Sequence, residues 1–335
     1  MRRASLVLCA LVLLSSACAD GQGDGPAVEF TIPVGANFVE VTDTLVARGL
    51  VKGRRLFRLR ARMNGSDREI RSGRYLIAQN IGVASLLDIL TRGQVQTVAM
   101  TIPEGFTLRQ MAPRIAAITG GDPAEVLSVL TADSVHIRWG VPGPGLEGYL
   151  FPETYRFAEG APLQTVVGEM VGAYQAFWTP ERRATLEDAG RSEREIVTLA
   201  SIVEAEATFD DEMPTIASVY RNRVDSGWLL QADPTVLYAL GGTRERLLFA
   251  MIDSVADNPY NTYTQPGLPP GPIGAPGRAA LAAALEPAET EFFYFVADAR
   301  GRHVFTRTLA EHNAAAAEYR RRMFDDTGDP PSNDR

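Results

Sequence analysis

Residues 192–207 read SEREIVTLASIVEAEA, and this stretch constrains the fold more than any other part of the chain. Ser192 followed by Glu195 is a capping-box pattern, which starts a helix. Ile196, Leu199, Ala200 and Val203 then recur at the spacing of one helical face. Val197 and Ile202 extend the apolar surface almost all round, so the helix must be enclosed by other elements. A chain of 335 residues with an ordinary apolar fraction can build that enclosure, as one large domain or two ordinary ones. Glu204 lies at the far end of this helix. Apolar neighbours disfavour the charged form of a carboxyl group, and the negative pole of a helix C-terminus acts in the same direction. Both effects raise the pKa, which is what a general acid working near neutral pH requires.

The front half is organised by a short repeat. Residues 31–50 read TIPVGANFVEVTDTLVARGL and residues 101–118 read TIPEGFTLRQMAPRIAAI. Each predicts a strand, a Pro-x-Gly turn and an amphipathic helix. Between them, residues 73–77 read as a strand, and VASLLDILTR over residues 83–92 reads as a helix ended by Gly93. The pattern predicts an α+β class. It fits either a plain scaffold or a glycan-binding module of small βα units.

Residues 143–157, GPGLEGYLFPETYRF, predict the joint to the second half. Tyr and Phe rings beside Glu147 and Glu153 suit sugar recognition, where rings stack on sugar faces and carboxylates accept from hydroxyls. An aromatic-packed hinge explains the same residues. The expected division is a leader over residues 1–18, a flexible tether over 19–27, an N-terminal βα region over 28–142, a catalytic domain over 143–325 and a disordered tail over 326–335.

The leader carries Arg2 and Arg3, then an apolar run over residues 6–14 that is short for a membrane span, then small residues. Ala17-Cys18-Ala19 fits a cleavage site, and residues 14–18 resemble a lipoprotein signal in which Cys18 is the lipid anchor. The spacer GQGDGPA suits a tether. Cys9 and Cys18 are the only cysteines, so the folded body has neither a disulfide nor a thiol nucleophile. A net charge of −8 argues against nucleic acid as a partner. His136, His303 and His312 lack ligand spacing, so no metal or cofactor is expected.

The back half holds the other signals. Helices are expected over residues 163–178 and over 215–225, the second ended by Gly227. LLQADPT follows. Asp233 precedes a proline, which biases it to extended backbone with its side chain free to cross a groove; it also reads as the cap of a helix over residues 235–240. Residues 258–278, NPYNTYTQPGLPPGPIGAPGR, hold too many prolines and glycines for a regular element, and long loops inside domains are usually functional. Asn261, Thr262, Tyr263 and Thr264 offer amide and hydroxyl groups for acetamido and hydroxyl recognition. Residues 292–297 and 303–306 pair as a hairpin, and Thr308 with Glu311 starts a last helix running to about residue 324.

Elimination then narrows the chemistry. The chain has no G-x-S-x-G elbow, no H-E-x-x-H, no phosphate-binding loop and no dinucleotide fingerprint in a strand–helix setting. Carboxylate chemistry in an exported protein remains, which points to glycosides.

The blocks IPEGFTLRQMA, LEGYLFPETY, LASIVEAEA, ASVYRNRV, LLQADPTVLYAL, NPYNTYTQPGLPPGPI, FYFVAD and HVFTRTLAEHN resemble, in order, the YceG/MltG endolytic peptidoglycan transglycosylases. The resemblance spans about residues 101–319. It implies a LysM-like N-terminal region before the catalytic domain, a catalytic role for Glu204, and cleavage of nascent glycan strands at the periplasmic face of the inner membrane. It carries peptidoglycan strands as substrate, with peptidoglycan synthases and the membrane as further partners. Two departures stand out. Where the family carries Lys-Glu-Thr this chain has Ala205, Glu206 and Ala207, which keeps the Glu and loses the Thr hydroxyl, and a short leader replaces the family's transmembrane helix.

The implied reaction uses one carboxyl twice. Glu204 protonates the MurNAc–GlcNAc bridging oxygen and then takes a proton from the muramic C6 hydroxyl as it closes on C1, leaving a 1,6-anhydro end. Gln231, Asp233, Asn261, Tyr263 and Glu147 are the candidates for holding the glycan. Glu206 points roughly 200° away around the helix. Two other readings stay open. One is a hydrolase of the same bond with Asp233 aimed at a water; the other is a non-catalytic wall-binding scaffold.

Overall fold

Alternating apolar residues build the first unit. In strand β1 (Ala27–Ile32) Phe30 and Ile32 face inward, and in β2 (Gly73–Ala78) Tyr75 and Ile77 do so. The strands are antiparallel with Phe30 opposite Tyr75, and the two rings stack at 5.5 Å between centroids. Helices α1 (Phe38–Ala47), α2 (Arg54–Met63) and α3 (Val83–Arg92) close over this pair with Leu45, Phe57, Leu86 and Leu90. Each such side chain contributes about 1.5–3 kcal/mol on burial. Asn37 and Glu40 form the capping box that starts α1, and Gly93, in left-handed backbone, ends α3.

The computed structural model describes residues 23–93, 96–242, 247–298 and 300–327. The expected leader with Cys9 and Cys18, the start of the tether and the end of the tail lie outside the described residues. Among the described residues no helix is long and apolar enough to cross a membrane.

The second repeat does not extend the first sheet. Its strand β3 (Thr97–Thr101) pairs instead with β4 (Thr154–Ala158), while its helix is α4 (Leu108–Thr119). The chain divides into two compact units at this point. The first holds the described residues up to Met100 together with Ile118–Gly120 and Arg156–Pro162; the second holds Thr101–Ala117, Gly121–Tyr155 and the described residues from Leu163 onward. The compact units first part at 100/101, and the expected joint at 142/143 lies within the second of them. The reason lies in the second Pro-x-Gly turn, whose Gly105 N–H donates to the Ala275 carbonyl at 2.8 Å, and in the burial of Leu108, Met111 and Ile115 on α4.

The second unit continues with α5 (Pro123–Thr131), α6 (Val135–Trp139), α7 (Leu163–Gln175) and α8 (Pro180–Asp188). Helix α9 (Glu193–Glu206) follows and is its centre. Ser192 and Glu195 make both capping-box bonds, worth about 1 kcal/mol, and every residue from Ile196 to Val203 is buried. It packs against α10 (Met213–Asp225), α11 (Asp233–Ala239) and, beyond α12 (Phe249–Ser254), α13 (Arg278–Leu285). The sequence RAALAAAL lets α13 come close, because alanine methyls leave little between the two backbones. Strands β5 (Tyr294–Ala297) and β6 (His303–Thr306) form the expected hairpin, and α14 (Leu309–Thr327) ends the described chain, started by reciprocal Thr308–Glu311 bonds.

Candidate active site

The Pro/Gly-rich loop is irregular in the fold, as expected, and it is fastened along α9 at three points. The Arg194 guanidinium donates to the Pro270 carbonyl. Ser201 Oγ accepts from Ile273 N–H at 3.0 Å while donating to the Thr198 carbonyl at 2.8 Å. Glu204 Oε2 accepts from Gly277 N–H at 2.9 Å. Residues 194, 201 and 204 fall on one helical face, so the loop runs beside the helix and delivers the N-cap of α13 to Glu204.

The 102–105 turn closes the same place from the other side. Ala275 N–H donates to the Phe106 carbonyl at 2.9 Å, and Gly105 stands 3.9 Å from Glu204 Cγ by the position a Cβ would take there. A side chain at Gly274 would meet the Gly105 carbonyl oxygen at 2.5 Å, and one at Gly277 would overlap the Glu104 carboxylate. Close backbone approach thus requires glycine at 274, whereas at 277 the neighbour is the exposed end of the Glu104 side chain.

Glu204 is half-buried. Burial pushes its carboxyl from 4.5 up to about 7; the Gly277 N–H opposes the rise, and the charges of Glu104 and Asp210 add to it. The group holds its proton near neutral pH, and the Gly277 N–H is in place to accept the charge once the proton leaves. The pull of the N-terminal end of α13 was not legible beforehand, nor was Glu104. One signal was available: Glu104 is where the two TIP-x-G turns differ, and its counterpart Val34 is an exposed apolar residue in the first unit.

The other expected site residues gather elsewhere. Gln231, Asp233 and Tyr263 line a polar cavity of about 360 Å³ with Glu206, Arg223 and His312. Tyr263 Oη donates to Asp233 Oδ1 at 2.5 Å, and Tyr220 Oη donates to Glu206 Oε1 at 2.9 Å. Burial raises Glu206 from 4.5 to about 7, against the Tyr220 bond. Gln231 has φ of 50°, a left-handed backbone unusual for a residue with a side chain, and its N–H donates to the Thr262 carbonyl at 3.0 Å. Asp233 is the first residue of α11, where it neither caps the helix nor stays extended; Ala232 takes the cap position. Proline suits the first turn of a helix, and that preference outweighs its bias on the preceding residue.

Two residues expected to contact glycan are hydrogen-bonded within the protein. Asn261 is fully enclosed, with Nδ2 donating to the Ile252 and Val255 carbonyls and Oδ1 accepting from Tyr263 N–H, so it ends α12 and shapes the loop. Glu147 accepts from Leu108 N–H at 3.0 Å and from Tyr238 Oη at 3.2 Å, so it caps α4. Burial raises Glu147 from 4.5 to about 7, with both bonds opposing. Thr262 is likewise taken up by Ala232 N–H and Thr235. Among the described residues no three His, Cys, Asp or Glu side chains converge as metal ligands.

A carboxyl raised to about 7 by burial, set on a helix end against a backbone N–H and near a second carboxylate, is the arrangement that acid–base catalysis on an α+β fold requires. The chain belongs to the YceG-like family, whose model matches residues 30–318. It is 31% identical over 309 residues to the endolytic murein transglycosylase of Bacillus subtilis, covering 87% of this chain and 84% of that protein. The endolytic murein transglycosylase of Streptococcus pneumoniae strain D39 is 29% identical over 318 residues; the match takes in 86% of this chain but 57% of that longer protein. The crystal structure of a YceG-like protein from Listeria monocytogenes aligns with a TM-score of 0.60 at 30% identity, over 86% of this chain and 98% of that one.

Proposed function

We propose that this chain is an endolytic murein transglycosylase acting in the cell envelope, with Glu204 as its acid and base. The observation that carries the assignment is the Glu204 carboxyl raised to about 7 beside the Gly277 N–H, in a family whose relatives bear that name. Protonated Glu204 donates to the oxygen bridging MurNAc and GlcNAc, and the C1–O bond breaks with oxocarbenium character. The ionised carboxylate, held by Gly277 N–H, then takes the proton of the muramic C6 hydroxyl while that oxygen bonds to C1. One proton leaves Glu204 and one returns, and the product carries a 1,6-anhydro end. A pKa near the working pH suits a group that must both give and take.

Gln231, Asp233 and Tyr263 are assigned to holding the glycan. They share one cavity with Glu206, which is two residues along α9 from Glu204 but turned roughly 200° from it, so a strand would have to wrap the end of that helix to touch both places. An exported chain held at the periplasmic face of the inner membrane through its leader, with Cys18 as the lipid anchor, would meet nascent strands and the synthases that make them.

One observation favours a second reading. Glu104 is the larger of the two carboxylate charges that reach Glu204, the other being Asp210, whereas Asp233 sits with Glu206. A hydrolase of the same bond would therefore use Glu104, not Asp233, to activate water. Mass spectrometry of digested peptidoglycan separates the two: anhydro ends support the transglycosylase, reducing ends the hydrolase. Glu204→Gln lowers strand cleavage by on the order of 10²–10⁴. Unchanged cleavage in that variant removes the assignment and leaves a wall-binding scaffold.

A further inference from the structure

Helix α2 reads RRLFRLRARM and carries two apolar faces. Phe57 and Ala61 are buried in the core of the first unit. On the opposite side Leu56, Leu59 and Met63 follow the i, i+3, i+7 rule of one stripe, and they are 71%, 57% and 77% exposed. Arg55 and Arg62 flank this stripe on one side and Arg60 on the other, given about 100° per residue. Arg54 and Arg58 both pair with Asp43, whereas Arg55, Arg60 and Arg62 have no ion pair among the described residues. Residues 23–93 hold eleven Arg and Lys against seven Asp and Glu, in a chain whose net charge is −8. The stripe is thus a local exception to the charge of the whole protein.

The neighbourhood adds a second observation. Leu56, Arg60 and Lys52 edge an open cavity of about 400 Å³ whose interior is Leu50, Val51 and Ile81. Asn80 lines the same cavity, and its Nδ2 donates to Asp24 Oδ1 at 3.0 Å. Asp24, the second described residue, is thus fastened beside this surface, and 22 residues of the sequence precede Gly23.

We infer that the Leu56–Leu59–Met63 stripe of α2 seats on an anionic phospholipid bilayer, with Arg55, Arg60 and Arg62 at the headgroups. Apolar side chains between arginines are what a helix lying in a membrane interface presents, and arginine stems cover apolar surface while their charged ends reach phosphate. An acidic protein partner would satisfy the arginines, but it would leave three large exposed apolar side chains and the adjoining apolar cavity unexplained. The inference is independent of the bond that Glu204 cleaves.

The test uses the full chain carrying Leu59→Trp, at an exposed position, on vesicles of phosphatidylglycerol and phosphatidylcholine with doxyl-labelled acyl chains. The unsubstituted chain gives the background from Trp139, Trp178 and Trp228. We expect the added fluorescence to shift to the blue and to be quenched by the doxyl lipid on anionic vesicles. Adding Arg55→Glu, Arg60→Glu and Arg62→Glu, or raising the salt, should lower the constant for seating the helix by on the order of 10²-fold. Circular dichroism checks that the variants are folded, and cleavage of soluble glycan strands without vesicles should be unchanged in them. A tryptophan at 59 that stays water-exposed on anionic vesicles overturns the inference. So does quenching that is equal on pure phosphatidylcholine, or shielding obtained only with an acidic protein.

Discussion

The perturbation that probes the site most directly is Glu104→Gln. At an ordinary 4.5, a glutamate at pH 7 holds its proton in roughly 0.3% of molecules; at about 7, half of them hold it, a gain of roughly 10² in active acid. Burial is the largest cause and is unaltered by an isosteric amide, whereas the charge of Glu104 is removed. The Glu204 pKa must then fall but stay above 4.5. In the proposed reaction the protonated form of Glu204 is the one that starts it, so the alkaline limb of kcat/KM should move to lower pH. Each unit of movement lowers the rate tenfold at any pH above the limb, while the plateau below it is unchanged. The assay is the release of anhydro-ended fragments from purified glycan strands between pH 5 and 9, by chromatography with mass detection. Asp210→Asn should move the limb the same way by less. A limb that does not move refutes the electrostatic account of the site. A plateau that drops 10²-fold or more makes Glu104 a reacting group and favours hydrolysis.

Further outcomes follow from the same geometry. Gly277→Ala places a methyl where the exposed Glu104 carboxylate lies and pushes that side chain away from Glu204, so the alkaline limb should move to lower pH with the fold retained, as read by pH–rate profiles and circular dichroism. Ser201→Ala leaves the buried Ile273 N–H without its acceptor and should cost about 1–3 kcal/mol in urea unfolding. Glu147, Glu204 and Glu206 each rise from 4.5 to about 7, so the folded state binds more protons than the unfolded one between those values. Their contribution to stability is complete below about pH 4.5 and lost as pH rises through about 7. Glu206→Gln and Glu147→Gln should each flatten the fall in melting temperature across that window; an unchanged slope would show that the groups titrate normally.

Much of the fold was legible because local rules were strong. The capping boxes at Asn37 and Ser192, the Gly93 stop and the hairpin joining residues 292–297 to 303–306 are decided within a few residues of sequence. The pairing of β3 with β4 was not legible, since repeated strands carry no record of which partner they take. The roles of Asn261 and Glu147 misled for a related reason. A polar side chain in an irregular loop serves a ligand or the loop's own backbone equally well, and here the unpaired carbonyls of α12 and N–H of α4 claimed them.

Sequence alone determined that a helix apolar on all sides would be enclosed and would end in a carboxyl group, because periodicity and capping are properties of neighbouring residues. It also determined the family, through blocks that keep their order. Only the tertiary structure decided what surrounds that carboxyl. Gly277 lies 73 residues from Glu204 along the chain, and Glu104 lies farther still. They meet because the 102–105 turn and the proline-rich loop bond to each other backbone to backbone, with Gly274 so close to the turn that a side chain there would collide. Desolvation and through-space charge depend on who is near, not on who is next, so the proton on Glu204 is a consequence of packing.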